Sequence, residues 1–77
     1  MNWRERIEQR PNVLGGEPVV RGTRVPVRAL LGGLAGGMTI DQVSASYRVA
    51  VEDVRAALHY AVEAVGEERS LGVHTAT

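Results

Sequence analysis

The segment Gly15–Val27, Gly-Gly-Glu-Pro-Val-Val-Arg-Gly-Thr-Arg-Val-Pro-Val, constrains the fold of this chain more than any other. It sets two turn signals and two very short apolar runs directly ahead of a helical pattern, with the backbone restriction of Pro18, Pro26 and the nearby Pro11. Val19-Val20 and Val25 flank Arg21-Gly22-Thr23-Arg24, in which Gly22 can take the positive φ of a tight reversal, so a small β-hairpin is predicted here. Pro26 holds its φ near the helical value and suits the first position of a helix, so strand should give way to helix within one residue.

Apolar spacing then predicts three helices. Val27, Leu30, Leu31 and Leu34 recur at i, i+3, i+4 and i+7, and Gly36-Gly37 stops this first helix. Thr39 followed by Gln42 is a capping-box pattern, with Ile40, Val43 and Tyr47 along one side of a short second helix. In the third, Val51, Val54, Leu58, Ala61, Val62 and Val65 form the expected core stripe, while Glu52, Arg55, Ala56, His59 and Glu63 form the expected wet face. Gly66 marks its expected end. The fold class is thus mainly α, a three-helix bundle with a short N-terminal β-hairpin. Residues 1–66 make one domain and residues 67–77 read as a flexible C-terminal tail.

A domain of 77 residues buries only about 60 to 65% of its unfolded surface, so association with a second copy is expected, through the hairpin and exposed apolar edge residues. The chain has no cysteine, which removes disulfides and thiolate metal sites and fits a reducing compartment. No apolar run approaches the roughly 20 residues that span a bilayer, and residues 1–10 are too charged for a signal sequence, so a cytoplasmic location is expected. His59 and His74 lie far apart without a ligand pattern, Gly15-Gly16 lacks the lysine and helix of a phosphate loop, and no nucleophile triad can be placed. The chain is therefore expected to be no enzyme and to need no cofactor or metal.

Charge is more informative. All nine basic residues are arginine, and the net charge is zero. Within residues 1–28, Arg4, Arg6, Arg10, Arg21, Arg24 and Arg28 outnumber Glu5, Glu8 and Glu17, so an anionic partner would meet the N-terminal half. Base composition of the genome would also favour arginine over lysine. Two short helices joined by a turn around Arg48 to Ala50 suit a helix-turn-helix, whose second helix can enter the major groove. The cations available for DNA are Arg21, Arg24 and Arg28 near the hairpin, Arg48 in the turn, and Arg55 and His59 on the third helix. Glu52 and Asp53 oppose phosphate at the start of that helix; their bland role is helix initiation, since Ala50 stands at the N-cap without a capping oxygen. The bland alternative for Arg21 and Arg24 is a turn whose side chains reach solvent or pair with Glu17.

Asn2-Trp3-Arg4-Glu5-Arg6-Ile7, Val13-Leu14-Gly15-Gly16, Pro18–Val27, Gly37-Met38-Thr39 and Glu52–Leu58 together resemble the domain-of-unknown-function 433 family, over residues 2 to about 65. Arg21-Gly22-Thr23-Arg24-Val25-Pro26-Val27 is the specific element; Glu17, Arg48 and Ala50 depart from the family's usual residues. The resemblance implies a homeodomain-like helix-turn-helix fold and a VapB-type antitoxin, partnered by a PIN-like ribonuclease toxin and repressing its own operon. Against a nuclease site of carboxylates and Mg²⁺, Arg69 is the candidate to occupy the metal pocket, with Leu71 covering the entrance and Arg21 or Arg24 as the alternative. The other reading is a protein-only interaction or dimerisation module without DNA binding.

Overall fold

Ile7–Gln9 (β1) and Pro18–Val20 (β2) pair antiparallel, with Ile7 opposite Val20 and Gln9 opposite Pro18. The computed structural model describes residues 2–70, with side chains as far as Glu67. Three helices follow the strands: α1 (Val27–Ala35), α2 (Ile40–Tyr47) and α3 (Val51–Ser70). A 3-10 turn at Trp3–Glu5 precedes β1 and another, Leu14–Gly16, lies between the strands.

The expected strand partners are corrected by this pairing. The reversal at residues 21–24 exists: Gly22 has φ +76°, the Thr23 amide donates to the Val20 carbonyl at 3.0 Å, and the Val20 amide donates to the Val25 carbonyl at 2.9 Å. Beyond it only an isolated bridge joins Val19 to Pro26, because Pro26 lacks the N–H that would continue a ladder. Val20 finds its strand partner in β1 instead. Pro26 stands at the N-cap position of α1, with extended φ and ψ of −78° and 146°, and Val27 opens the helix.

Leu30, Val27, Val43, Val54, Ala56 and Ala57 form the core together with Ile7 and Val20 from the sheet. The approach of α1 to α2 depends on Gly33, where an added Cβ would stand 3.1 Å from Val43 Cγ2 and 3.3 Å from the Met38 sulfur. At the start of α2 the predicted capping box is present. Thr39 accepts from the Gln42 amide at 3.0 Å, and Gln42 accepts in return from the Thr39 amide at 2.9 Å. α2 ends on Arg48, a non-glycine residue in the left-handed region (φ 58°, ψ 46°), and Ser44 ties the turn by donating to the Val49 carbonyl at 2.5 Å.

The orientation of α3 differs from the expected one. Ala56, assigned to the wet face, is fully buried, whereas Leu58, Val62 and Val65, assigned to the core, are 36%, 70% and 55% exposed. The reason lies at the other end of the chain. Trp3 packs edge-on against Tyr60 at 5.2 Å between ring centroids, so the N-terminal turn covers the Ala56–Tyr60 side of the helix. Small side chains at 56 and 57 let α3 come close to the rest of the core. Gly66 does not end the helix, which continues to Ser70.

Glu63 closes this N-terminal clasp. Its carboxylate accepts from the Trp3 indole at 3.0 Å and from Arg4 at 2.9 Å, while the Arg4 guanidinium lies 4.5 Å from the Trp3 ring centroid. The indole hydrogen bond, the largest influence, outweighs the opposing desolvation and, with the weaker pull of the Arg4 charge, holds the Glu63 carboxyl below its ordinary range. A carboxylate with a depressed folded pKa stabilises the fold at all pH above its unfolded value and loses that contribution as pH falls through the folded value. Trp3 is the chain's single tryptophan, so its emission should change on acidification below the ordinary carboxylate range. Glu63→Gln should remove that transition in a fluorescence titration; its persistence would assign the change to another group.

Candidate functional site

The turn after β2 and the turn between α2 and α3 face each other across an open cleft of about 460 Å³. Arg6, Arg21 and Arg48 line it with Glu5 and Asp53, so two of the six residues predicted to bind DNA come together here. Their states differ. Arg21 is tied down: Nε donates to the Glu5 carbonyl at 2.8 Å, one terminal nitrogen to the Arg4 carbonyl at 3.0 Å and the other to Glu8 at 3.4 Å. Arg48 is exposed, and while its backbone N–H caps α2 on the Ser44 carbonyl, its guanidinium makes no hydrogen bond or ion pair with the described residues.

Glu8 organises the corner. With its side chain only 16% exposed, it pairs with Arg10 and Arg21 and accepts the Gly22 amide at 2.9 Å. This anchoring fixes the left-handed Gly22 turn and accounts for the crowding of arginines around it. Sequence reading missed Glu8, because β1 is three residues long and its single buried apolar residue, Ile7, leaves no alternation to detect.

Asp53 holds the other side of the cleft. Oδ1 accepts from Arg6 at 3.0 Å and Oδ2 accepts from the Ala50 amide at 2.9 Å. The helix-initiation role expected of Asp53 is thus realised from inside the helix, by reaching back to the residue that lacks a cap of its own. Its pairing with Arg6 could not be read from a separation of 47 residues.

The remaining predicted cations fall at separate places. Arg28 projects from α1 with its side chain 71% exposed and makes a two-point pair with Glu17, Nε and one terminal nitrogen each donating to a carboxylate oxygen at 3.1 Å. That fork raises the Arg28 pKa further above its ordinary value, chiefly by hydrogen bonding. Glu17 therefore serves Arg28, and the alternative in which it pairs with Arg21 or Arg24 is not the one formed. Arg24, at the tip of the turn, and Arg55, on the first turns of α3, are exposed without partners among the described residues. His59 is exposed one turn after Arg55. Arg69 falls within α3, with its side chain outside the described residues, and Leu71 lies outside them altogether.

A second open surface is apolar. Leu58, Ala61, Val62, Val65 and Gly66 line a concavity of about 510 Å³ along α3. Among the described residues no cluster of histidine and carboxylate side chains could hold a metal ion. Neither is any described helix long and apolar enough to cross a membrane.

Together these features define a small, mainly helical domain: three helices and a two-stranded antiparallel sheet, with cations at one corner and an uncovered apolar stripe on its longest helix. The chain belongs to the family described as "Protein of unknown function (DUF433)", whose profile matches residues 7–61. It is similar to the uncharacterized protein y4eO of Sinorhizobium fredii (strain NBRC 101917 / NGR234), at 39% identity over 59 residues. That alignment takes in 75% of this chain and 27% of the relative, so the chain spans about a quarter of that protein's length. The crystal structure of a DUF433 member protein from Anabaena variabilis ATCC 29413, at 2.00 Å resolution, resembles it with a TM-score of 0.73 and 31% identity. The superposition covers 84% of this chain and 66% of that one.

Proposed function

We propose that this chain is the antitoxin of a type II toxin–antitoxin pair, which neutralises a PIN-like ribonuclease and binds operator DNA to regulate its own synthesis. The observation that carries the reading is the presence of three exposed arginines without partners among the described residues, Arg24, Arg48 and Arg55, around a pair of helices joined by a short turn. Ion-paired arginines such as Arg28 have their fork satisfied at home, whereas these three retain all their donors for phosphate or base edges. Neutralisation falls to the end of α3 and beyond: Arg69 enters the nuclease's metal-binding carboxylates and Leu71 covers the entrance. The domain has a homeodomain-like arrangement in this reading, with α3 as the helix nearest the groove.

Two measurements test it. The nuclease encoded beside this chain should copurify with it and lose activity in the complex, and Arg69→Ala should restore that activity. Operator affinity should fall steeply between about 50 and 200 mM salt, and Arg48→Ala should weaken binding and flatten the slope. A neighbouring reading frame that encodes no nuclease removes the first half. The exposed stripe on α3 favours a second reading, a protein-only interaction module, and absence of DNA binding even at low salt would select it.

A further inference from the structure

Arg28 and Arg21 offer the same edge of the guanidinium group to different kinds of acceptor. On Arg28, Nε and the adjacent terminal nitrogen hold the two oxygens of Glu17, each at 3.1 Å. On Arg21 the same two donors go to main-chain carbonyls, Nε to Glu5 at 2.8 Å and the terminal nitrogen to Arg4 at 3.0 Å. This is the edge through which arginine grips a carboxylate or phosphate at two points. A carbonyl brings no full charge, so the Arg21 charge is offset only by Glu8 at 3.4 Å, which Arg10 shares. Arg21 is thus a cation whose binding edge is covered by neutral acceptors. It lines its cleft with Arg48, whose guanidinium is unpaired among the described residues.

The two covering carbonyls belong to a short piece of chain with its own internal bonds. Asn2 caps the turn Trp3–Glu5 by accepting from the Arg4 amide at 3.1 Å, and the Arg6 amide closes it on the Trp3 carbonyl at 2.9 Å. None of Trp3, Arg4 and Glu5 is buried. From Arg6 onward the chain is fixed, since the Arg21 amide donates to the Arg6 carbonyl at 2.7 Å and Asp53 holds the Arg6 side chain. The contacts of the turn with α3 lie near the surface: Trp3 meets Tyr60 and Glu63, and Arg4 pairs with Glu63, these last two side chains being 61% and 48% exposed. Lifting the turn about Arg6 breaks these contacts and leaves the buried cluster in place, a local opening of the kind chain ends undergo well below the cost of global unfolding.

We propose that the N-terminal turn is an autoinhibitory clasp: docked on α3 it covers the Arg21 fork, and undocked it yields that fork to a phosphate group in the cleft beside Arg48. Glu5 gives the clasp a second effect. Its carboxylate lines the same cleft without a partner among the described residues, and it leaves with the turn, so undocking removes an anion as it uncovers a cation. The cleft's other carboxylate, Asp53, stays neutralised by Arg6. A phosphate has oxygens enough to accept from the Arg21 and Arg48 forks together, which a carboxylate has not. This control rests on the reading of the corner as one that meets an anionic partner. By linkage, a phosphate that binds the undocked state must also draw the clasp open.

Trp3 is the chain's single tryptophan, so the unmodified protein carries its own reporter. Titration with inorganic pyrophosphate, and separately with a short random-sequence DNA duplex at low salt, should shift Trp3 emission toward that of a solvent-exposed indole. Calorimetry should find pyrophosphate bound about tenfold more tightly by Trp3→Ala, which cannot dock the turn. Adding Arg21→Ala to Trp3→Ala should abolish that gain, whereas Arg21→Ala in the otherwise intact chain should change affinity less than about twofold. The emission shift requires no variant, so it decides the matter even if Trp3→Ala loses helix. A response to pyrophosphate and not to the duplex would keep the clasp and assign the cleft to free phosphates. Trp3 emission indifferent to saturating anion, no gain in a folded Trp3→Ala, or a gain that survives Arg21→Ala would each overturn the proposal. Duplex binding without an emission shift would sink the clasp and leave the operator reading standing; failure of every variant to bind either probe would remove both.

Discussion

Leu30→Ala should cost about 2–5 kcal/mol of folding stability, the loss of a fully buried side chain plus the cavity it leaves. Leu30 projects from α1 into the cluster that joins both strands to α2 and α3, so no single element can move in to refill the space. A chain of this length holds only about 4–12 kcal/mol in all, which makes this one truncation a large share of the total. Urea unfolding should show a much lower midpoint with an unchanged slope. Leu31→Ala, on a partly buried neighbour, should cost clearly less. Equal effects at the two positions would mean that α1 is rotated from the orientation described.

Asp53→Ala should cost about 1.5–3 kcal/mol, because it removes two interactions at once. The Ala50 amide loses its acceptor, and Arg6, partly shielded with its side chain 38% exposed, loses its carboxylate. Solvent screening of Arg6 keeps the figure well below that of a fully buried pair. Asp53→Asn retains an oxygen for the Ala50 amide and should recover roughly half of the loss. Thermal unfolding of Asp53→Ala, Arg6→Ala and the double variant forms a cycle in which the two single costs should sum to more than the double cost. Strict additivity would show that the Arg6 contact contributes nothing.

Where interactions are local, the sequence was a good guide to them. The Thr39–Gln42 box, the left-handed Gly22 and the three helices each follow from residues within a few positions of one another, and each is present. Long-range partners were not legible. β1 carries too little pattern to announce itself, and the pairing of Val20 with Ile7 in place of Val25 follows from chain closure, which local propensity does not encode. The face of α3 was misread for a related reason. Periodicity finds an apolar side but cannot say whether the domain's own core or some other surface covers it, and Trp3, from the opposite terminus, claimed the side bearing Ala56 and Tyr60. Among the candidate cations, residue type and position nominated Arg21 and Arg28 as readily as Arg48. Only the folded arrangement separates arginines already held by Glu8 and Glu17 from Arg24, Arg48 and Arg55, whose side chains are unpaired among the described residues.

The clasp between Trp3 and Glu63 joins residues 60 positions apart and has a consequence for biogenesis. As the polypeptide leaves the ribosome, Trp3 must wait for 60 further residues before it can dock, since its partner Glu63 is translated that much later. Until then the indole and the small strand beside it remain open to chaperones and proteases. Truncation shortly before residue 63 should therefore leave the segment around Trp3 as vulnerable to digestion as the new carboxyl end.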